Sequence, residues 1–338
     1  MSKAPMDLSK PSRVGPRSIA DRRSRSLAWL VLVVGTLVVG AASLLIGEGN
    51  LGDDHLRSTF LRLRTYRLAN SFLAGAALST AGVLVQGLFR NPLASPSLIG
   101  TSAGAGFGGA LVLVLWELLI SDRLSSALPT ELILPIGCLL GALGALTVLL
   151  VLTGPNADMV TVLLSGFILS SFFLSLGGLL TSIAQDTWEL GRAVVAFTLG
   201  GVEAKGPRHV ALAAPMVVLG SIAAFGWGRH LDVLLSGEDE AASLGVRVAE
   251  VRRWVIVWVA VLTAAAVAIG GNVSFVGLVV PHALRRYVGA AHRWLLPAAW
   301  VGGGLFVTLA DVVVRLIPAR GQIPLGGEAG MIGAPMFL

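Results

Sequence analysis

Residues 27–46 read Leu-Ala-Trp-Leu-Val-Leu-Val-Val-Gly-Thr-Leu-Val-Val-Gly-Ala-Ala-Ser-Leu-Leu-Ile, twenty positions without a charge. At ~1.5 Å of rise per residue such a run makes about 30 Å of helix, the thickness of a hydrocarbon core. It is longer than the apolar region of a secretory signal, and no small-residue cleavage site follows it, so it predicts a retained membrane span. Similar runs recur at 67–89, 97–116, 132–153, 159–184, 208–227, 252–271 and 295–317, with a last one from 325 to the end. A shorter run, 275–286, follows Gly270-Gly271-Asn272 and contains Pro281. It is too short to cross as a straight helix and predicts half of a broken segment, which is tolerated only where protein or a water-filled cavity satisfies its backbone.

Composition agrees with this reading. The chain has 338 residues, 55% hydrophobic and 13% charged, with a mean hydropathy of +0.82. A soluble domain carries roughly 25% charged residues and could not hide this much apolar surface. The 42 glycines follow no Gly-X-Y period. An ordinary soluble enzyme, a disordered chain and a collagen are excluded. The expected fold class is all-α, a polytopic transmembrane helical bundle of about ten spans.

The 25 Lys and Arg against 19 Asp and Glu give a formal charge of +6, which in a membrane chain predicts basic cytoplasmic loops rather than nucleic-acid binding. Residues 1–26, with Lys3, Lys10, Arg13, Arg17, Arg22, Arg23 and Arg25, are expected to be a disordered cytoplasmic tail ahead of one transmembrane domain, 27–338. Alternating the spans places these seven, Arg90, Arg229, Arg247, Arg252, Arg253, Arg285, Arg286 and Arg293 inside. Arg57, Arg62, Arg64, Arg67, Arg123, Arg192, Lys205, Arg208, Arg315 and Arg320 fall outside. The inside majority supports this orientation, with the N-terminus expected in the cytoplasm. The sizeable outside set predicts docking of an acidic partner.

No motif supplies an engine or a reaction. Gly-x-x-x-x-Gly-Lys-[Ser/Thr] is absent, and Lys205, the only lysine beyond the tail, is followed by Gly206-Pro207. His55, His209, His230, His282 and His292 are scattered, Cys138 is single, and no zinc or Ser-His-Asp signature occurs. No catalytic set, metal site or cofactor is expected. Asp311 and Arg315, four apart, can pair along one helix face, while Glu117 and Asp158 fall at span ends. That poverty of midplane carboxylates disfavours an ion-driven secondary transporter or channel, which remains the alternative class. An intramembrane enzyme is disfavoured by the missing nucleophile and acid pair. Gly100, Gly104 and Gly108 form a small-residue face, read as tight packing or as the wall of a moving seam.

The polar stretch Ser236-Gly237-Glu238-Asp239-Glu240-Ala241-Ala242-Ser243-Leu244-Gly245-Val246-Arg247, on the cytoplasmic side, predicts a short helix opened by acids and closed by Gly245. Leu235, Ala242 and Leu244 give it an apolar side suited to a groove on a soluble subunit, although a solvated loop reads equally well from pattern alone. This segment, about 229–251, resembles the coupling loop of the FecCD-type permeases, membrane subunits of ABC importers for ferric siderophores, haem and cobalamin. Further blocks agree. Arg64-Thr65-Tyr66-Arg67 leads through Gly75 to Gln86-Gly87-Leu88-Phe89-Arg90-Asn91-Pro92-Leu93-Ala94-Ser95-Pro96-Ser97-Leu98-Ile99-Gly100. Ser274-Phe275-Val276-Gly277-Leu278-Val279-Val280-Pro281-His282-Ala283-Leu284-Arg285 is similar to a second family signature, and Asp311, Arg315, Ile323-Pro324-Leu325-Gly326 and Gly333-Ala334-Pro335-Met336-Phe337 to its C-terminal pattern.

The resemblance implies the ten-helix fold of the type II (BtuC-like) importers, a homodimer with the translocation path on its two-fold axis, two cytoplasmic ATP-binding subunits and a periplasmic substrate-binding protein. It implies that Arg64, Arg67 and Arg315 hold acids of that binding protein, and that Gly237, Glu238, Asp239, Glu240, Ala241, Ala242, Leu244 and Gly245 meet the ATPase. Gln86, Asn91, Pro92, Gly100, Gly104, Gly277, Pro281, His282, Asp311, Pro324 and Gly326 match the family's motif and pathway positions. Tyr66 stands where the family often has Pro, and Gln322 where it often has Glu. The 14 residues from Leu325 to Leu338 make ~21 Å of helix, so the tenth span is expected to be incomplete. The expected cargo is a ferric siderophore, with haem or cobalamin as alternatives, carried across the bacterial inner membrane.

Overall fold

The computed structural model describes residues 19–47, 56–120, 130–154, 159–201 and 205–317. Among them it has eleven α-helices and no strand. In chain order these are α1 (Ile19–Leu45), α2 (Arg57–Leu88), α3 (Thr101–Leu115), α4 (Thr130–Thr153), α5 (Met159–Ala184) and α6 (Trp188–Leu199). They continue as α7 (Pro207–Leu234), α8 (Glu238–Ser243), α9 (Val248–Gly270), α10 (Val276–Val288) and α11 (His292–Leu316). Eight of them, all but α6, α8 and α10, are long and apolar enough to cross a membrane.

The half-helix read at 275–286 is α10, 13 residues long. Several features differ from the sequence expectations: α2 begins at Arg57 rather than 67, and α7 runs on to Leu234 rather than 227. Helix α1 starts at Ile19, inside the stretch 1–26 expected to be disordered, because no Pro or Gly interrupts Ile19–Ser26 before the apolar run. Helix α3 begins at Thr101, after a 3-10 turn at Pro96–Ile99. Helix α6 was not anticipated: Glu189, Gly191 and Arg192 dilute its apolar residues below what a span requires. The tenth run lies outside the described residues.

Helix α2 is the hub. It is buried almost continuously from Ala74 to Leu88 and packs against α7, α9, α10 and α11. Leu84, Leu88, Leu231, Leu262 and Leu296 fill the core there. Helices α1 and α5 lie at the periphery and expose apolar side chains such as Leu37, Val38, Phe167 and Ile168, the surface of a chain whose solvent is hydrocarbon. The ends of the bundle differ. One, the Arg64 end, gathers Gly47, Arg64, Arg67, Asp311 and Arg315. The other, the His292 end, gathers Gly87, Asp232, His292 and the Arg25–Gly289 approach, with α8 beside α7 and α9.

Without a hydrophobic drive between helices in lipid, close backbone contact must supply the adhesion. The predicted small-residue face does this: Gly104 and Gly108 of α3 press on Gly141 and Gly137 of α4. A Cβ on Gly104 would overlap Ala145 and lie 2.7 Å from the Gly141 carbonyl. Gly106, on another side of α3, has nothing within 4 Å. Gly104→Leu is therefore expected to cost ~1–3 kcal/mol or more of stability through overpacking, and Gly106→Leu less than ~0.5 kcal/mol. Thermal unfolding in detergent micelles measures both.

Candidate functional site

Two adjoining cavities of about 160 and 230 Å³ lie where α9 gives way to α10. Both are lined by Ser102 and Asn272; the first adds Phe107, Phe173, Thr181 and Phe197, the second Ser95, Ser97, Ser274 and Phe275. Hydroxyls, one amide, glycines and apolar groups make up the walls, with no charged side chain. The backbone beside them is irregular. Gly271 (φ +69°) and Phe275 (φ +67°) both adopt left-handed conformations, and for a bulky Phe that conformation is strained. The break is held from α6: the N–H of Gly201 donates to the Gly270 carbonyl at 2.9 Å, and Gly200 packs on Gly271 too closely for a Cβ. Helix α6, absent from the sequence reading, thus ends where α9 ends.

Pro281 has no N–H, so the Gly277 carbonyl one turn earlier loses its helical donor. The buried Gln86 amide of α2 takes that place, with Nε2 3.4 Å from the carbonyls of Gly277 and Leu278. Its Oε1 accepts from Arg285 Nη2 at 2.9 Å, so one side chain engages both ends of the half-helix. Gly277 itself rests on Gly82 of α2. Gln86, Gly277 and Pro281, predicted separately from motifs, form one device. His282 is exposed, and Asn91 and Pro92 lie in the turn leaving α2, where Asn91 Oδ1 accepts the Leu93 N–H at 2.9 Å. Gly100 joins the 3-10 turn to α3 in a left-handed conformation (φ +84°).

At the Arg64 end the final turn of α1 presents carbonyls that no further turn can satisfy. Arg64 donates to those of Leu44, Leu45 and Gly47 at 2.8–2.9 Å. Arg315 donates to those of Ser43 and Ile46 and to the Ser43 hydroxyl, each at 2.9 Å. Asp311, fully buried, pairs with Arg315 one turn away, as the spacing predicts, and with Arg67 at 2.8 Å. Of these three arginines, Arg64 is buried, the Arg315 side chain is 6% exposed, and all three bind groups of their own chain. Carbonyls left without a helical donor and shielded from water attract guanidinium groups, which form charge-assisted bonds to them. The exposed arginines described at this end are Arg57, Arg62, Arg192 and Arg208.

Helix α8 follows the predicted outline. Gly237 (φ +135°) precedes it, Glu238, Asp239 and Glu240 open it, and Gly245 (φ +84°) closes it, its N–H donating to the Ala242 carbonyl at 2.9 Å. Ala241 is fully buried and Glu238 pairs with Arg252 of α9 at 3.1 Å, so the helix is seated on the bundle. Ala242 and Leu244 are exposed. Pro324, Gly326 and Gln322 lie outside the described residues. The sequence reading did not single out Gly87 or Asp232, and it set His292 aside as scattered; their contact joins helices 60 or more residues apart, which no local spacing signals.

Removing Asp311 would leave the guanidiniums of Arg67 and Arg315 without their carboxylate. Asp311→Ala is expected to lower stability by about 3–5 kcal/mol, against less than ~0.5 kcal/mol for Arg62→Ala, in the same unfolding measurement.

A family model described as the FecCD transport family matches residues 26–338. A cobalamin import system permease protein of Halobacterium salinarum is 34% identical over 78% of this chain and 67% of its own length. A hemin transport system permease protein of Yersinia pestis is 33% identical over 78% and 76%. A solved structure, described as an inward-facing conformation of a transporter assigned to the metal-chelate ABC type, superposes with a TM-score of 0.79 at 30% identity, covering 94% of this chain and 97% of that one. The broken helix, its Gln86 support and the seated α8 are thus parts of a transport permease and not of an enzyme: the chain belongs to the FecCD transport family.

Proposed function

We propose that this permease imports a metal bound inside a bulky organic chelate, a ferric siderophore, from the periplasm to the cytoplasm of a bacterium. In this reading the chain works as a homodimer in the inner membrane, with its N-terminus and α8 in the cytoplasm. Two copies of a separate ATP-binding subunit drive it, and a periplasmic binding protein delivers the cargo at the Arg64 end.

One observation carries the choice of cargo: the cavities beside the α9–α10 break are walled by Ser, Thr, Asn, Gly and apolar groups. Such walls offer hydrogen bonds to an oxygen-rich chelate without binding it tightly, and they contain no His, Met or Tyr to ligate haem iron. Among the described residues no group of three His, Cys, Asp or Glu is placed to hold a metal ion, which supports passage of the intact chelate rather than of the bare metal. Relatives named for cobalamin import and hemin transport, and a structure described as of metal-chelate type, support a chelated metal as cargo.

Ala242 and Leu244, exposed on a helix that Ala241 and Glu238 anchor, support docking of the ATP-binding subunit. Exposed Arg57 and Arg62, with half-buried Arg67 at the rim, support docking of acidic groups of the binding protein on the platform that Arg64, Arg315 and Asp311 build. Several such charges set encounter rate and orientation more than affinity.

Proteoliposomes holding this chain with its ATP-binding and substrate-binding partners are expected to accumulate radioactive iron from a ferric hydroxamate chelate only when ATP is inside the ATPase compartment. Accumulation by the chain alone would reject the proposal. Gly237 and Gly245 occupy left-handed conformations, so Gly237→Val with Gly245→Val distorts α8. Iron moved per ATP is expected to fall at least fivefold while hydrolysis persists. The double reversal Arg57→Glu, Arg62→Glu is expected to weaken capture of the binding protein about tenfold in a pull-down titration, with basal hydrolysis unchanged.

A further inference from the structure

Asp232 lies in the last turn of α7, six residues before Glu238 opens α8. One of its carboxylate oxygens, Oδ1, accepts both the backbone N–H of His292, at 3.0 Å, and its ring Nδ1–H, at 2.7 Å. His292 is the first residue of α11, so Asp232 caps a helix to which it does not belong. The imidazole is buried between two glycines: its Nε2 abuts Gly87 of α2, and its Cβ lies 3.2 Å from where a Cβ on Gly228 of α7 would stand. Among the described residues Nε2 has no hydrogen-bond partner, and Asp232 supplies the ring's polar contact. Sliding α7 against α11 would break two hydrogen bonds at once and leave buried polar atoms unsatisfied. The two helix ends are therefore bound to move together.

Helix α11 is 25 residues long, about 37 Å at ~1.5 Å per residue, and its far end carries Asp311 between Arg67 and Arg315. It is a rod fixed at both ends, one end at the root of the ATPase-facing segment and the other in the arginine network. We infer that Asp232 and His292 form the joint through which a displacement of α8 is passed to α11 and so to the opposite end of the bundle, both acting as positioning residues for coupled transport. The inference rests on the proposed ATP-driven function.

The test uses the complete complex in proteoliposomes, reading iron accumulated from a ferric hydroxamate chelate per ATP hydrolysed. A second reading is the distance between spin labels placed by Ser243→Cys on α8 and Leu309→Cys on α11, both exposed, with and without ATP and vanadate. Asp232→Ala and His292→Ala are each expected to lower iron per ATP about tenfold, with hydrolysis within twofold of the unaltered complex, and to abolish the nucleotide-dependent change in distance. Asp232→Asn keeps an oxygen for both donors and is expected to retain at least half of the ratio, a rescue that a general loss of folding would not show. An unchanged ratio and an unchanged distance response in Asp232→Ala would overturn the joint, as would failure of Asp232→Asn to rescue. If the unaltered complex accumulates no iron, the cargo reading fails instead, and the label distances still decide for or against the joint.

Discussion

Hydrocarbon offers no hydrogen bonds, so every backbone group that a broken or ended helix releases must find a partner within the protein. Much of the functional architecture follows from that constraint. Helix α10 contains a proline, which frees the Gly277 carbonyl; Gln86 reaches from α2 to cover it. Helix α9 stops inside the bundle, and its Gly270 carbonyl is met by the Gly201 N–H after α6. Helix α1 ends with its last carbonyls turned to the guanidiniums of Arg64 and Arg315. Each break is permitted only because another helix approaches closely, which is why glycines stand at Gly82, Gly200, Gly271 and Gly277.

These supports are unequal in kind, and the difference bears on motion. At the Arg64 end Arg67 and Arg315 share one buried carboxylate, and Arg64 and Arg315 bind a row of carbonyls, a charge-assisted network that is costly to take apart. At the α9–α10 break the Gln86 bonds to the Gly277 and Leu278 carbonyls are long, at 3.4 Å, and neutral, the backbone is strained at Phe275, and two cavities lie alongside. Rearrangement is easier to imagine at the second place than at the first: interactions of lower strength open at lower free energy. A bundle with one rigid end and a weakly held broken helix in its middle suits a device that must open and close without falling apart.

Charge in the sequence did not signal which groups of the chain its arginines bind. Arg64, Arg67 and Arg315, grouped on one side by counting bases, engage the carbonyls of α1 and the carboxylate of Asp311, which lie within their reach. A long basic side chain signals its sign and its depth; its partner depends on which helix end arrives beside it. The same holds for His292, whose significance comes from Asp232, and for Gly87, whose missing side chain makes room for that imidazole.

The sequence by itself determined the membrane class, most of the spans, the half-helix at Pro281, the small-residue face of α3 and the outline of α8. All of these rest on residues near one another in the chain: apolar runs of helical length, a proline after a glycine pair, glycines four apart, acids at a helix start. Only the tertiary structure decided that α6 ends where α9 ends, that Gln86 completes a helix from outside it, that Arg64 and Arg315 fasten the end of α1, and that Asp232 caps α11. Each of these joins segments tens to hundreds of residues apart, and hydrogen-bonding atoms that meet across such separations leave no periodicity to read.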